Sequence, residues 1–180
     1  QQRLVWLVHN NFVRAGARLD EPGKKRMAEI NQRLATLFTE FAQNVLADEE
    51  HYTVVLDSEA DLAGLPESVR AAAAAAAESR GQKGKWLVTN TRSSMEPFLT
   101  YSARRDLREK VWRNYVSRGD NGDARDTKQL VAEILRLRAE RAGLLGYQTH
   151  AHWRLENTMA KTPERAMTLL EAVWKPDRKS

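Results

Sequence analysis

The chain has 180 residues, 42% of them hydrophobic and 29% charged, the balance of a globular protein with room for one sizeable core or for a piece of something larger. Its 29 Lys and Arg against 24 Asp and Glu give a formal charge of +5, but the two signs are interleaved, which argues for ion-paired, solvated faces and against the concentrated stripe of a nucleic-acid binder. There are no cysteines, so disulfides and thiolate metal sites are excluded, and no apolar run approaches the roughly eighteen residues of a membrane span.

Gln1-Gln2-Arg3-Leu4 has no initiator Met and no signal-peptide pattern, and it opens inside a helical pattern, which suggests a processed product or a fragment. Leu4, Val5, Leu7, Val8, Phe12 and Ala15 recur at helical spacing and predict an amphipathic helix over 2–18. Asp20-Glu21-Pro22-Gly23 then turns the chain. A second helix, with Met27, Ile30, Leu34, Leu37, Phe38, Phe41 and Val45 on one face, runs to about Asp48, and the two suggest an antiparallel helical hairpin.

Tyr52 to Leu56 is short and β-branched and predicts a strand. Leu62 and Leu65 anchor a short helical turn, and Pro66 opens a helix that contains the alanine run 71–77. That run has high helix propensity and little side chain, so the helix either packs closely or lies exposed. Gly81 and Gly84 end it, and Lys85 to Thr89 reads as a second strand, which pairs either with the first or with strands from elsewhere. Ser93 with Glu96 resembles a capping box, Pro97 opens a short turn, and a longer helix follows with Leu107, Val111 and Tyr115 on one face.

Gly119 to Asp126 is polar and reads as a flexible loop, after which Asp126 caps a long helix ending near Gly146. His150 to Leu155 reads as a further helical turn. Thr162-Pro163 begins a last helix with Met167, Leu170, Val173 and Trp174 on one face; Pro176 stops it, and 177–180 form a polar tail. The class is therefore mainly α: a multi-helix array of amphipathic helices with one or two short β-strands.

Groups able to do chemistry are scattered. His150 and His152 are the closest pair of histidines, but two positions apart on a helix they face nearly opposite ways, and His9 and His51 are isolated. Glu133 and Glu140 read as solvated carboxylates, and Asp48-Glu49-Glu50 as a charge run at a helix end, in a loop. No nucleophile elbow occurs, and Gly81-Gln82-Lys83-Gly84-Lys85 is too short for a phosphate-binding loop. Arg104, Arg105, Arg108, Arg113 and Arg118, or Arg136, Arg138 and Arg141, would make basic patches, but Glu109, Glu133 and Glu140 dilute them and no aromatic interleaves for base stacking. No residue is singled out as catalytic, cofactor-binding or metal-ligating.

A resemblance adds what the residues alone do not give. Asn11 to Ala17, Phe41 to Leu46, Leu62-Ala63-Gly64-Leu65-Pro66, Gly84-Lys85-Trp86, Pro97-Phe98-Leu99-Thr100-Tyr101, Leu107 to Trp112, Leu144-Leu145-Gly146-Tyr147 and Met159 to Glu164 resemble, in order and spacing, the thimet oligopeptidase and peptidyl-dipeptidase family of zinc peptidases, most nearly the bacterial dipeptidyl carboxypeptidases. That family carries zinc on an H-E-x-x-H helix with a downstream glutamate, absent from these 180 residues. The resemblance implies a single helical fragment over 1–180, the upstream, non-catalytic channel-wall region of a longer enzyme that removes C-terminal dipeptides from short peptides. It implies zinc in the parent and none in this chain, which by itself would be inactive. Its partners would be short peptides and the remainder of the peptidase, with no nucleic acid and no membrane, and with self-association through exposed apolar faces. The location implied is cytoplasmic, with the periplasm left open. A stand-alone helical module that binds protein or peptide without catalysis is the alternative.

Overall fold

The computed structural model describes residues 1–178. They form α1 (Gln2–Arg14), α2 (Glu21–His51), β1 (Val54–Leu56), a 3₁₀ turn (Glu59–Leu62), α3 (Glu67–Ser79), β2 (Trp86–Val88), α4 (Arg92–Tyr101), α5 (Arg105–Val116), α6 (Lys128–Leu144), α7 (His150–Leu155) and α8 (Pro163–Asp177). The class is mainly α, as expected, with one small sheet. The chain divides into two units: Gln1–Phe38 with the chain from Val131 onward, and Thr39–Leu130.

In the second unit β1 and β2 pair with each other, antiparallel, with Val54 opposite Val88 and Leu56 opposite Trp86. Alternation puts Val54 and Leu56 on the buried face, where they join Leu62, Leu65, Val88, Met95, Phe98 and Val111 in one core. Leu107 and Tyr115 flank Val111 against it, so the stripe read along α5 packs as expected. The alanine helix takes the first of its two options. Ala73 and Ala77 are buried, and their short side chains let α3 lie close on β2.

One turn in this unit differs from expectation. Pro97 does not open a helix: it sits inside α4, which begins at Arg92 behind Thr91, so Ser93 is already helical and no capping box forms with Glu96. Glu96 accepts instead from Arg92 at 2.8 Å, and Ser94 Oγ accepts the Thr89 N–H at 3.1 Å. Pro97 has no N–H to give the Ser93 carbonyl, and α4 ends four residues later at Tyr101. The 3₁₀ turn does carry a box: Asp61 Oδ2 accepts the N–H of Ser58 at 3.1 Å and its hydroxyl at 3.0 Å.

In the first unit, α1 stops at Arg14, short of the expected residue 18. Pro22 and Gly23 fall in the first turn of α2, where a missing N–H costs little, and Asp20 Oδ1 accepts the Gly23 N–H at 2.9 Å as a cap. On α2, Met27, Ile30, Leu34 and Leu37 are buried, and so are Ile134, Leu137 and Ala142 on α6. Phe38 stays partly exposed, as does Phe41 further along α2. The partner of α2 is α6. Arg26 clamps Glu140 at 2.6 and 3.1 Å and Arg33 clamps Glu133 at 2.8 and 2.7 Å, so the two helices run antiparallel. No residue of α1 is buried, which leaves the expected α1–α2 hairpin without a shared core. Helix α8 continues through Pro176 to Asp177, and Lys179 and Ser180, half of the expected polar tail, lie outside the described residues.

Candidate functional site

Four of the eight distinctive sequence segments build one junction. Leu62 and Leu65, Phe98, and Val111, each from a different segment, meet in the core of the second unit, with Trp86 and Leu99 against it. The backbones also touch: the Ala103 N–H donates to the Ala63 carbonyl at 2.8 Å. Gly64 is the reason they can. Its φ is +84°, and a Cβ there would collide with the Tyr101 carbonyl and stand 2.8 Å from Ala103 N. Arg104 ties the same corner from outside, pairing with Asp61 and with Asp106 at 2.7 Å. The Arg104 guanidinium holds the Asp106 carboxyl down at about 2. These segments therefore share one packed core.

The polar loop before α6 is fastened. Asp48 is fully buried, and its carboxylate accepts the Gly119 N–H at 2.8 Å, Asn121 Nδ2 at 2.7 Å and Arg125 Nε at 3.2 Å. Thr127 closes the loop, giving both its N–H, at 2.7 Å, and its hydroxyl, at 2.9 Å, to the Gly119 carbonyl. Asp126 Oδ1 accepts the Lys128 N–H at 2.9 Å, capping α6 as expected though one residue further out. The charge run at 48–50 is thus helical, not loop, and Asp48 was missed as a structural hub. The signal was available: Asp48 continues the three-and-four spacing of Ile30, Leu34, Leu37, Phe41 and Asn44, so it falls on the buried stripe of α2.

The basic residues read as possible patches are mostly paired. Arg113 bonds Glu109 at 2.8 Å, Arg118 pairs with Glu49, and Arg108 donates to the Ser102 carbonyl. Glu133 and Glu140, expected to be solvated, are clamped by Arg33 and Arg26, and those hydrogen bonds lower both carboxyl pKa values. The histidines do not converge. His152 Nδ1 bonds the Thr149 hydroxyl at 2.8 Å and its Nε2 lies 3.5 Å from Glu164, His51 bonds the Ala47 carbonyl at 2.7 Å, and His150 leans on Trp153.

What the described residues do present is apolar surface. Leu4, Val5 and Phe12 on α1 are each about two-thirds exposed, and so are Leu169, Val173 and Trp174 on α8. Single exposed apolar side chains are ordinary, but rows of them along two helices mark surfaces built to be covered. None of the described helices is long and apolar enough to cross a membrane.

Comparison with known proteins accounts for the motif segments. Residues 98–179 match peptidase family M3. The chain is 35% identical over 171 residues to the dipeptidyl carboxypeptidase of Escherichia coli, an alignment covering 95% of this chain and 25% of that protein. It is 38% identical over 165 residues to oligopeptidase A of Haemophilus influenzae, covering 89% and 24%, and 34% identical over 186 residues to a probable cytosolic oligopeptidase A of Arabidopsis thaliana, covering 98% and 26%. The chain spans about a quarter of the length of these relatives. By sequence, then, the chain is similar to peptidase family M3 over residues 98–179 and to these longer proteins along most of its length.

Proposed function

We propose that the chain is an upstream, largely helical portion of a zinc-dependent peptidyl-dipeptidase, and that it walls the channel through which short peptides reach a catalytic centre located elsewhere in the longer polypeptide. The observation that carries this reading is the similarity along 95% of the chain to a dipeptidyl carboxypeptidase four times its length. The activity of that relative, removal of C-terminal dipeptides by peptide-bond hydrolysis, is the activity proposed for the parent. Its substrates would be short, unfolded peptides, because a walled channel excludes folded ones.

The donors in this chain do not suit zinc. Among the described residues no three of His, Asp and Glu come together, and His150 stands among arginines that would repel a cation. Hydrolysis is therefore assigned to the rest of the polypeptide, and no step runs through residues 1–178. The role left to this portion is geometric. Four of its eight motif segments contribute to the core around Phe98 and Val111, and the exposed faces of α1 and α8 are where the remainder of the peptidase would pack. We place the parent in the cytoplasm, in keeping with the relative named cytosolic.

Two measurements test the reading. Sequencing beyond the codon for Ser180 is expected to find the frame continuing into H-E-x-x-H; a stop codon there would favour the stand-alone binding module. The purified 180-residue chain with added zinc is expected to release no dipeptide from blocked oligopeptides, whereas the longer polypeptide does. Zinc-dependent release by the short chain would overturn the division of labour.

A further inference from the structure

Positive charge gathers in the first unit, where α6 meets α7, and among the described residues it outnumbers the negative charge beside it. Trp153 is the hub. Arg141 lies 4.7 Å from its ring centroid and Arg14 5.2 Å, and the His150 ring stands 5.4 Å away, tilted by 40°. Arg138, one turn before Arg141 on α6, lies 5.0 Å over Phe38, and Arg154 follows Trp153 on α7. Among the described residues only Arg14 has a carboxylate partner in this group, Glu156, which also accepts the Tyr147 hydroxyl at 2.6 Å. Arg141 has the neutral Asn31 amide at 3.1 Å.

Three polar atoms here are shielded from solvent without a partner among the described residues: Nε of Arg138, Nε of Arg141 and Nδ1 of His150. Two of these are obligate donors, and leaving them unmade is costly. Burial, then repulsion from Arg138 and Arg154, lowers the pKa of Arg141. Burial, then Arg138, Arg141 and Arg154, lowers that of His150. No carboxylate offsets either effect.

We propose that Arg138, Arg141, Arg154 and His150 form a binding site for a carboxylate carried by a peptide, either its free C-terminus or an acidic side chain. Arg138 and Arg141 lie over the Phe38 and Trp153 rings, and a guanidinium is the group that takes a carboxylate through two hydrogen bonds. The bound oxygens would satisfy the arginine Nε donors, and their charge would let His150 protonate and donate as well. The inference stands on the chemistry of this cluster, so its failure leaves the peptidase reading untouched.

The test follows arginine Nε–H and histidine ring resonances of the isotope-labelled chain at constant ionic strength. One arm adds a glutamate-containing tripeptide blocked at both ends; a second adds an N-acetylated trialanine with a free C-terminus; trialanine blocked at both ends is the control. The expected result is a saturable shift of the Arg138 and Arg141 Nε–H signals in one or both carboxylate arms, with a rise in the His150 pKa. The arm that responds identifies the source. Arg154→Gln, a change at an exposed position, is expected to weaken binding roughly five-fold, or about 1 kcal/mol. No saturable shift in either arm, the same shift with sodium chloride, or an affinity unchanged in both Arg154→Gln and Arg138→Gln would overturn the proposal.

Discussion

Removing the Asp48 carboxylate would leave the Gly119 N–H, the Asn121 amide and the Arg125 guanidinium facing a hollow with no acceptor. Breaking one side of a buried, charged network of this kind costs about 3–5 kcal/mol, so Asp48→Ala is expected to lose that much in urea unfolding and to expose the Gly119 and Thr127 amides to fast hydrogen exchange. Asp48→Asn keeps the shape but turns one donor group toward other donors, and should fall between the variant and the parent chain. A loss under about 0.5 kcal/mol in Asp48→Ala would mean that water replaces the carboxylate at little cost. Asp106 offers a second residue-scale measurement. Its pKa is held near 2 by the hydrogen bond from Arg104, below its ordinary 3.8. A depressed carboxyl contributes stability that is fully present above the unfolded value and is lost as pH falls toward the folded one. The contribution is therefore expected intact above about pH 4 and gone near pH 2. An NMR titration of the Asp106 side chain should give a midpoint near 2, and Arg104→Gln should return it toward the ordinary value; an unmoved midpoint would show that the pair is not formed in solution.

At the scale of elements, the clearest dependence is α3 on the smallness of its inner face. Ala77 is fully buried against the strand side while Ala75 is exposed. Ala77→Leu should force the helix off β2 and cost about 1–3 kcal/mol, and Ala75→Leu should be close to neutral; equal effects at both positions would mean that α3 is not seated as described. Gly64 and Gly81 both hold a positive φ, so alanine is strained at either, but at Gly64 its Cβ also meets the Tyr101 carbonyl whereas at exposed Gly81 it meets nothing within 4 Å, and Gly64→Ala is expected to destabilise more than Gly81→Ala. These elements also show what could be read in advance. The α5 stripe and the two strands were legible because periodicity records which face is buried. The starts of α2 and α4 were not, because Pro and Gly break a helix interior but are tolerated in its first turn, and Pro97 is held inside α4 by tertiary packing of Phe98 that no local rule contains. The clamps on Glu133 and Glu140 were hidden for a related reason: Arg33 and Arg26 lie about a hundred residues away in sequence. Neither Asp48 nor the Trp153 cluster has a local motif, since each is assembled from separate segments.

For the molecule as a whole, the similarity to longer proteins and the exposed faces point the same way. A chain spanning a quarter of its relatives should present surface that its relatives cover with their own remaining residues. On α8, Met167, Leu170 and Trp174 recur at three-and-four spacing and are all more than half exposed, which is the pattern of a helix face waiting for a partner. The parent would supply that partner; the isolated 180-residue chain has only other copies of itself. It is therefore expected to self-associate, with an apparent mass in sedimentation velocity that rises with concentration. Leu170→Glu with Trp174→Glu should reduce the association, because two carboxylates on the face would have to be buried without partners. The same pair of substitutions in the longer polypeptide should instead lower its thermal stability, since there the face would lie inside one molecule. A strictly monomeric, cooperatively melting 180-residue chain would count against the covered-face argument and in favour of a self-sufficient module, because a chain that already satisfies its own surface has no need of the rest of a peptidase.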